Sequence, residues 1–543
     1  MQPILKTTLF SNQAINQRLL WAGIVLFYFV LRIHPIGIPL DRDEGVFGLV
    51  GRTILEGGLP YLHGIDQKPP LIFYLYALIL SIFPSTALGI HVFLHLYNFI
   101  TLVILFLFTK RAMDTATAFW IVFIFALISI NPYVQGYTAS IEMFALLPLM
   151  LSIWWALLAT ESDSHQSLYL VLSGIFGALA CWFKPPFVFS AAFALIIIVH
   201  KAFIHNNTGE RLQIVAKAVT FWLAGGIGVS ICIVGYFAYK GVFEEFYYWS
   251  FRHGMLYSAM IPVGDKLLLS WQGLSQLLQN APIIFILALA CPFLKPTKSK
   301  LSIYLIVGFF LLSLVGVSFG FAYKHYYAQL LLPLAILAGI AISTVAGKIV
   351  DSRKQTGASI VIVIAVFVVQ ILPNFDYHFS QAQLKINRKF YGINPFFESV
   401  SIARYLNERT TPEDEIFIFG SEPQILLLAE RRSATAFYMI YPLMNSIYPR
   451  YLEFQQRVIE EVENSKPEYI VSVVLPASFL YDGKAEQSTS IFLQKYLKQN
   501  YQLEDRLLFS DAAQSWISVK QGNIRRDQVR PNVAIMLFRR AKS

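Results

Sequence analysis

The chain has 543 residues, of which 56% are hydrophobic and only 14% charged, with a mean hydropathy of +0.55. Soluble domains run near a quarter charged, so this composition excludes an ordinary soluble protein and describes a polytopic membrane protein with a soluble appendage. The formal net charge is +10, residues 1–373 holding 22 basic and 14 acidic side chains and residues 374–543 holding 21 and 19; the excess therefore sits mostly in membrane loops, where it sets topology and does not form a nucleic-acid surface.

In chain order, a polar start with Lys6 and Arg18 leads into a first apolar run at 19–39. No small-residue cleavage site follows it, so the run is expected to be an uncleaved span. The next stretch is densely polar: Asp41, Asp43, Glu44, Glu56 and Asp66, with His63 and Lys68. Such a loop beside a span is costly unless it handles a polar substrate. Within it Val46, Leu49, Val50 and Ile54 share one face, which predicts a short helix over 45–56 lying on the membrane surface. The apolar run 71–83 is shorter than the roughly 20 residues a span needs.

Further apolar runs fall at 89–109, 115–131, 141–159, 167–183, 186–203, 218–239, 275–294, 301–320, 326–346 and 357–373. Basic residues follow alternate runs: Lys110-Arg111, then Lys201, Arg211 and Lys217, then Lys295, Lys298 and Lys300, then Lys348, Arg353 and Lys354. The positive-inside rule places all four clusters in the cytoplasm. With the N-terminus also inside, this parity requires 71–83 to be a re-entrant or interfacial helix inside a first external loop, 40–88. The expected fold is thus a polytopic α-helical membrane module of about eleven spans, residues 1–373, followed by a soluble extracytoplasmic α/β domain, residues 374–543. In that domain strands at 415–419, 435–439, 469–474 and 532–538 alternate with helices at 400–409, 425–431, 451–464 and 490–499, the pattern of a layered sheet. The three cysteines, Cys181, Cys232 and Cys291, lie in apolar runs and form neither a metal spacing nor a disulfide framework.

Chemistry-bearing residues gather on the external side. Besides the first loop these are Glu142, Lys184-Pro185-Pro186, the aromatic stretch 244–257 with Arg252 and His253, and Tyr323 to Tyr327 with His325 and Tyr326. Singly each has a plain structural reading: a snorkelling helix end, an interfacial anchor, an aromatic belt. Together they describe a cavity for a charged, partly lipidic substrate. There is no Gly-rich phosphate loop, nucleotide fingerprint or Ser-His-Asp signature.

The chain resembles the GT-C superfamily of membrane glycosyltransferases, in particular the bacterial relatives of dolichyl-phosphate-mannose–protein mannosyltransferases, which include the lipid A aminoarabinose transferases. The resemblance rests on Asp43-Glu44 after the first span, Gly57-Gly58-Leu59-Pro60-Tyr61, and Asp66-x-Lys68-Pro69-Pro70-Leu71. Farther on it includes Glu142, Lys184-Pro185, His325 to Leu330, Ile418 to Pro423, and Arg431-Arg432. It implies that Asp43 is the catalytic carboxylate and that the donor is a sugar, hexose or pentose, on a polyprenyl phosphate. The acceptor would be a glycan, lipid or protein at the bilayer surface of the cell membrane, with no nucleic acid involved.

The residue chemistry agrees. An acceptor hydroxyl must lose its proton as it attacks C1, which one carboxylate can take up. A cation stabilises the charge on the departing phosphate. One base and one cation suit a single inverting displacement, whereas retention needs a nucleophile as well. Asp43 with Glu44 are the catalytic candidates, and Lys68 is the phosphate-binding cation. Asp66, Glu142, Lys184, His253, His325 and Tyr326 are candidates for substrate binding. A divalent metal would draw on Glu44 and His253; in the aminoarabinose branch, however, a metal-ligating Glu precedes the Lys-Pro, and here that residue is Gln67. Two other classes would share the external charged cavity. A transporter or flippase of lipid-linked sugars should show internal repeats or paired broken helices, and neither is evident. A non-catalytic scaffold leaves the acid and base gathered in one loop unexplained.

Overall fold

The computed structural model describes residues 3–205, 208–294, 301–348, 352–380, 382–520 and 529–541. Lys295, Lys298 and Lys300 of the third basic cluster lie outside them. Among the described residues, seven helices are long and apolar enough to cross a membrane: Gln17–Gly37, Ala87–Ala112, Ile141–Ala159, Gln166–Phe183, Phe187–Ile204, Arg211–Tyr239 and Lys324–Gly347. Thr115–Ile128, Ile303–Val317 and Val361–Asn374 are apolar but shorter, and so is Leu71–Ile82. At a rise of about 1.5 Å per residue, twelve residues reach about 18 Å, short of the roughly 30 Å hydrocarbon core. The run expected as one span at 275–294 is instead divided. Val263–Asn280 and Pro282–Phe293 meet at 103°, because Pro282 cannot donate to the preceding turn and pushes Ala281 out of helical geometry (φ −142°, ψ 49°).

The chain forms two compact units. One consists of Met1–Ile36, Leu94–Ile233 and Ile261–Ser380. Its core is helix against helix, with small residues at the closest approaches: a Cβ on Gly174 would lie 2.8 Å from the Trp222 carbonyl carbon. Phe193 and Phe309 stack with centroids 4.5 Å apart. Arg32 is buried and donates to the Tyr28 and Ala126 carbonyls and to Ser129 Oγ.

The second unit consists of Gly37–Phe93, Val234–Met260 and Gln381–Ser543. It is built on a six-stranded sheet: β1 (Glu415–Phe419), β2 (Arg432–Ser433), β3 (Tyr469–Val474), β4 (Tyr501–Ser510), β5 (Ser515–Ser518) and β6 (Val529–Arg540). The strand order is β2-β1-β3-β6-β4-β5. β1 is parallel to β2 and β3, with helices Gln424–Ala429 and Tyr451–Ser465 in the crossovers. The other pairings are antiparallel. β1 and β3 read almost uninterrupted hydrophobic and are buried nearly throughout, as strands covered on both faces should be. The strand expected at 435–439 is displaced to β2; what remains there is an isolated bridge between Ile65 and Phe437. β4 and β5 were not foreseen, since Glu504-Asp505-Arg506 interrupts the alternation of β4 and β5 is only four residues long.

The polar loop after the first span packs within this unit. Its helix runs Arg42–Leu55, starting three residues before the expected Gly45. Gly45 and Gly48 let it lie directly on Gln424–Ala429: a Cβ on Gly45 would sit 2.7 Å from Gln424 Cα, and one on Gly48 would sit 3.0 Å from Leu427 Cδ1. Trp249, Phe437 and Phe454 form an aromatic cluster with centroids 5.0 to 6.1 Å apart that fastens 248–252 to the sheet domain.

Candidate active site

The helix Arg42–Leu55 begins with a capping box. Asp41 Oδ1 accepts the Glu44 N–H at 3.0 Å, and Glu44 Oε2 accepts the Asp41 N–H at 3.1 Å. Asp-x-x-Glu is the sequence form of this motif. The other Glu44 oxygen lies 2.8 Å from His91 Nε2 in a fully buried pair. Asp41 also accepts from the Tyr391 hydroxyl at 3.2 Å; burial and the neighbouring carboxylates of Glu44 and Asp43 push its carboxyl well up. Asp43, between them, is half-buried. Among the described residues no hydrogen bond or ion pair holds its carboxylate.

Asp66 follows the bridge of Ile65 to Phe437, where the Ile65 N–H donates to the Ala436 carbonyl at 2.9 Å. Its side chain is buried, and among the described residues neither carboxylate oxygen meets a side-chain donor, the Gln67 backbone N–H giving only a minor opposing pull. Burial pushes it up to about 6; Lys68 pulls the other way and Asp43 adds to the rise. Tyr61, at φ 69°, donates its hydroxyl to the Lys68 carbonyl at 2.8 Å and so fixes the backbone of the Gln67-Lys68 corner. His253 follows a π-turn, Tyr248–Arg252, of the kind that marks functional sites in helices. Its ring stacks on Tyr448 with centroids 4.0 Å apart. Its Nδ1 is 2.7 Å from Gln67 Oε1, so Nδ1 carries the proton and Nε2 presents a buried lone pair, without a partner among the described residues. Burial, with Lys68 as a second cause, lowers its pKa to about 3, keeping the ring neutral.

The remaining nominated residues converge in the other unit. Lys184 caps the C-terminus of Gln166–Phe183, and Glu142 lies in the first turn of Ile141–Ala159. Lys184 Nζ donates to Glu142 Oε1 and lies 2.9 Å from the centroid of the Tyr326 ring. His325 Nε2 stands 3.9 Å from the same Glu142 oxygen, and its Nδ1 lies 3.1 Å from Gln135 Oε1. The nominated residues thus form two groups: Asp43, Glu44, Asp66, Lys68 and His253 in one unit, and Glu142, Lys184, His325 and Tyr326 in the other.

Of the two nominated metal donors, Glu44 is engaged by His91 and the Asp41 N–H, while His253 donates Nδ1–H to Gln67 and keeps the Nε2 lone pair. Among the described residues no three His, Cys, Asp or Glu side chains are grouped to hold one. A cleft of about 400 Å³ lined by Arg52, His63, Arg431, Arg432 and Tyr438 also lies in the sheet-bearing unit. Arg431 is consumed there by Thr410 Oγ1 and by backbone carbonyls.

The chain has the fold of GT-C membrane glycosyltransferases. Residues 67–236 match the family model of dolichyl-phosphate-mannose-protein mannosyltransferases. Among solved structures the chain is similar to ArnT from Cupriavidus metallidurans bound to undecaprenyl phosphate, with 12% identity, a TM-score of 0.59, and coverage of 95% of this chain and 97% of that one. It is also similar to the archaeal oligosaccharyltransferase AglB from Archaeoglobus fulgidus, in complex with an inhibitory peptide and a dolichol-phosphate. There the identity is 13% and the TM-score 0.51, covering 96% of this chain and 76% of that one. No curated protein sequence matches the chain.

Proposed function

We propose that the protein is an inverting glycosyltransferase that moves a sugar from a polyprenyl-phosphate carrier to an acceptor hydroxyl or phosphate on the extracytoplasmic side of the cell membrane. The N-terminus is assigned to the cytoplasm and the sheet domain to the outside. The observation that carries the reading is the unengaged Asp43 carboxylate, set between two acids that the capping box consumes. Support also comes from the lipid phosphates bound by the similar proteins ArnT and AglB.

In this reading the acceptor oxygen attacks C1 of the sugar while its proton passes to Asp43. The bond from C1 to the phosphate oxygen breaks, and the polyprenyl phosphate leaves with the electron pair. Lys68 binds that phosphate and offsets its growing charge. Asp66 and His253 Nε2 are two buried acceptors, both within the electrostatic influence of Lys68, that call for hydroxyl donors, as a sugar supplies. Glu142, Lys184, His325 and Tyr326 are assigned to substrate binding as well. No step is routed through a metal.

Purified protein in liposomes, given radiolabelled polyprenyl-phosphate sugars and a panel of envelope acceptors, tests the proposal. Transfer of label to an acceptor supports it. Translocation without transfer, or neither across the panel, overturns it in favour of a transporter or a scaffold.

A further inference from the structure

We infer that Arg42 and Glu422 form a clamp by which the sheet domain sets the position of Asp43, making both of them positioning residues for the transfer reaction. The inference rests on the reading of Asp43 as the base. Arg42 occupies the first position of the helix Arg42–Leu55, where the positive end of the helix dipole disfavours a cation. Its placement there is explained by what it reaches. Nη2 donates to Glu422 Oε1 at 2.8 Å and to Asn394 Oδ1 at 3.3 Å, and Nε donates to the Ser421 carbonyl. One guanidinium thus ties the residue next to Asp43 to the turn at the end of β1.

Glu422 is fully buried. Its second oxygen, Oε2, accepts from Ser478 Oγ at 2.7 Å, and that hydroxyl oxygen accepts the Ser421 N–H at 2.7 Å. The Ser421 hydroxyl in turn donates to the Ser478 carbonyl. A buried carboxylate with this partner set is compensated only while Arg42 stays in place. The geometry is further fixed three residues after Arg42, where Gly45 allows the helix backbone to approach Gln424, itself two residues after Glu422. Asp43 lies between these fixed points, Arg42 and Gly45, and its own carboxylate is left out of the clamp.

Two measurements on the purified full-length protein test this. The first needs no activity: hydrogen exchange of the amides of residues 42–48 in wild type, Glu422→Gln and the milder Arg42→Lys. The clamp predicts that these amides exchange about tenfold faster or more in both variants, while those of Tyr451–Ser465 keep their protection. Unchanged exchange at 42–48, or loss of protection everywhere, overturns it. The second is transfer kinetics in wild-type and Asp43→Asn backgrounds. Misplacement of a catalytic group by about 1 Å costs on the order of a hundredfold, so Glu422→Gln should lower kcat by about that much with the donor KM unchanged. The same change should cost little more once Asp43 is already Asn, because both act through one group. Equal losses in the two backgrounds overturn the inference. If Asp43→Asn alone retains full activity, the base assignment fails, and hydrogen exchange still decides the clamp.

Discussion

Asp66 offers the most direct physical test of the site. Its carboxyl is buried, with neither oxygen meeting a side-chain donor among the described residues, and is pushed from 3.8 to about 6. A group whose affinity for protons rises on folding stabilises the fold fully below its unfolded pKa, and that contribution disappears as pH climbs through the folded value. Wild-type protein should therefore lose about 3 kcal/mol of stability through this one group between about pH 4 and pH 7, at 1.36 kcal/mol per tenfold in proton affinity. Asp66→Asn removes the titration. Other groups titrate in the same window, so the readout is the difference between the two proteins in apparent melting temperature from pH 4 to 8. The curves should diverge as pH rises, with the Asn variant relatively more stable above pH 6, while sugar transfer falls because a carboxylate with two acceptor oxygens becomes an amide with one. Curves that stay parallel from pH 4 to 7 would refute the argument.

Asp43→Asn should lower transfer by about a hundred- to ten-thousandfold with donor binding and melting temperature retained; since Asp41 is the residue that caps the helix, an unchanged rate would move the base to another carboxylate. Lys68→Ala should raise the donor KM, and arginine should restore it in part at most, because a compact point charge is replaced by a broad planar fork; unaltered kinetics would move the phosphate to another cation. Gly45→Ala should destabilise by about 1–3 kcal/mol through overpacking against Gln424. Gly23→Ala, inside the first span where an added Cβ meets nothing within 4 Å, should not destabilise and should raise the melting temperature slightly by removing a helix-interior glycine. Cysteines placed at Thr86 and Lys484 should both react with an impermeant reagent from outside; labelling of Thr86 only from the cytoplasm would mean that Leu71–Ile82 crosses the bilayer.

Much of this architecture was legible because apolar runs and strand-helix alternation are local signals. The first and third strands and the helix at 451–465 fall within a residue of where periodicity put them. Strands β4 and β5 were hidden because a charged triplet and a four-residue length defeat a period-two reading. At the site, the acids Asp43 and Asp66 stood out in sequence by their setting. Their circumstances did not: that Glu44 would be spent on Asp41 and His91, or that His253 would meet Gln67 across 186 residues of chain, is decided by tertiary packing. The Asp-x-x-Glu spacing of residues 41–44 is a local signal for the cap. Glu422 stands in the Ile418 to Pro423 stretch that carries the resemblance, but its pairing with Arg42 has no local signal, since Arg42 reads as an ordinary surface charge until the fold brings the two together.

That pairing also has a consequence for how the chain is made. Arg42 and Ser421 are 379 residues apart, and synthesis proceeds at about 5–20 residues per second, domains folding as units behind the ribosome. The polar loop after the first span is therefore translated roughly 20–75 s before its partners exist. Its helix can form early from its own capping box, but its glycine face stays bare until the β1 turn emerges. Closure of this contact is among the last long-range events in assembly, so a nascent chain halted before residue 421 holds every residue of the first loop yet not its final arrangement.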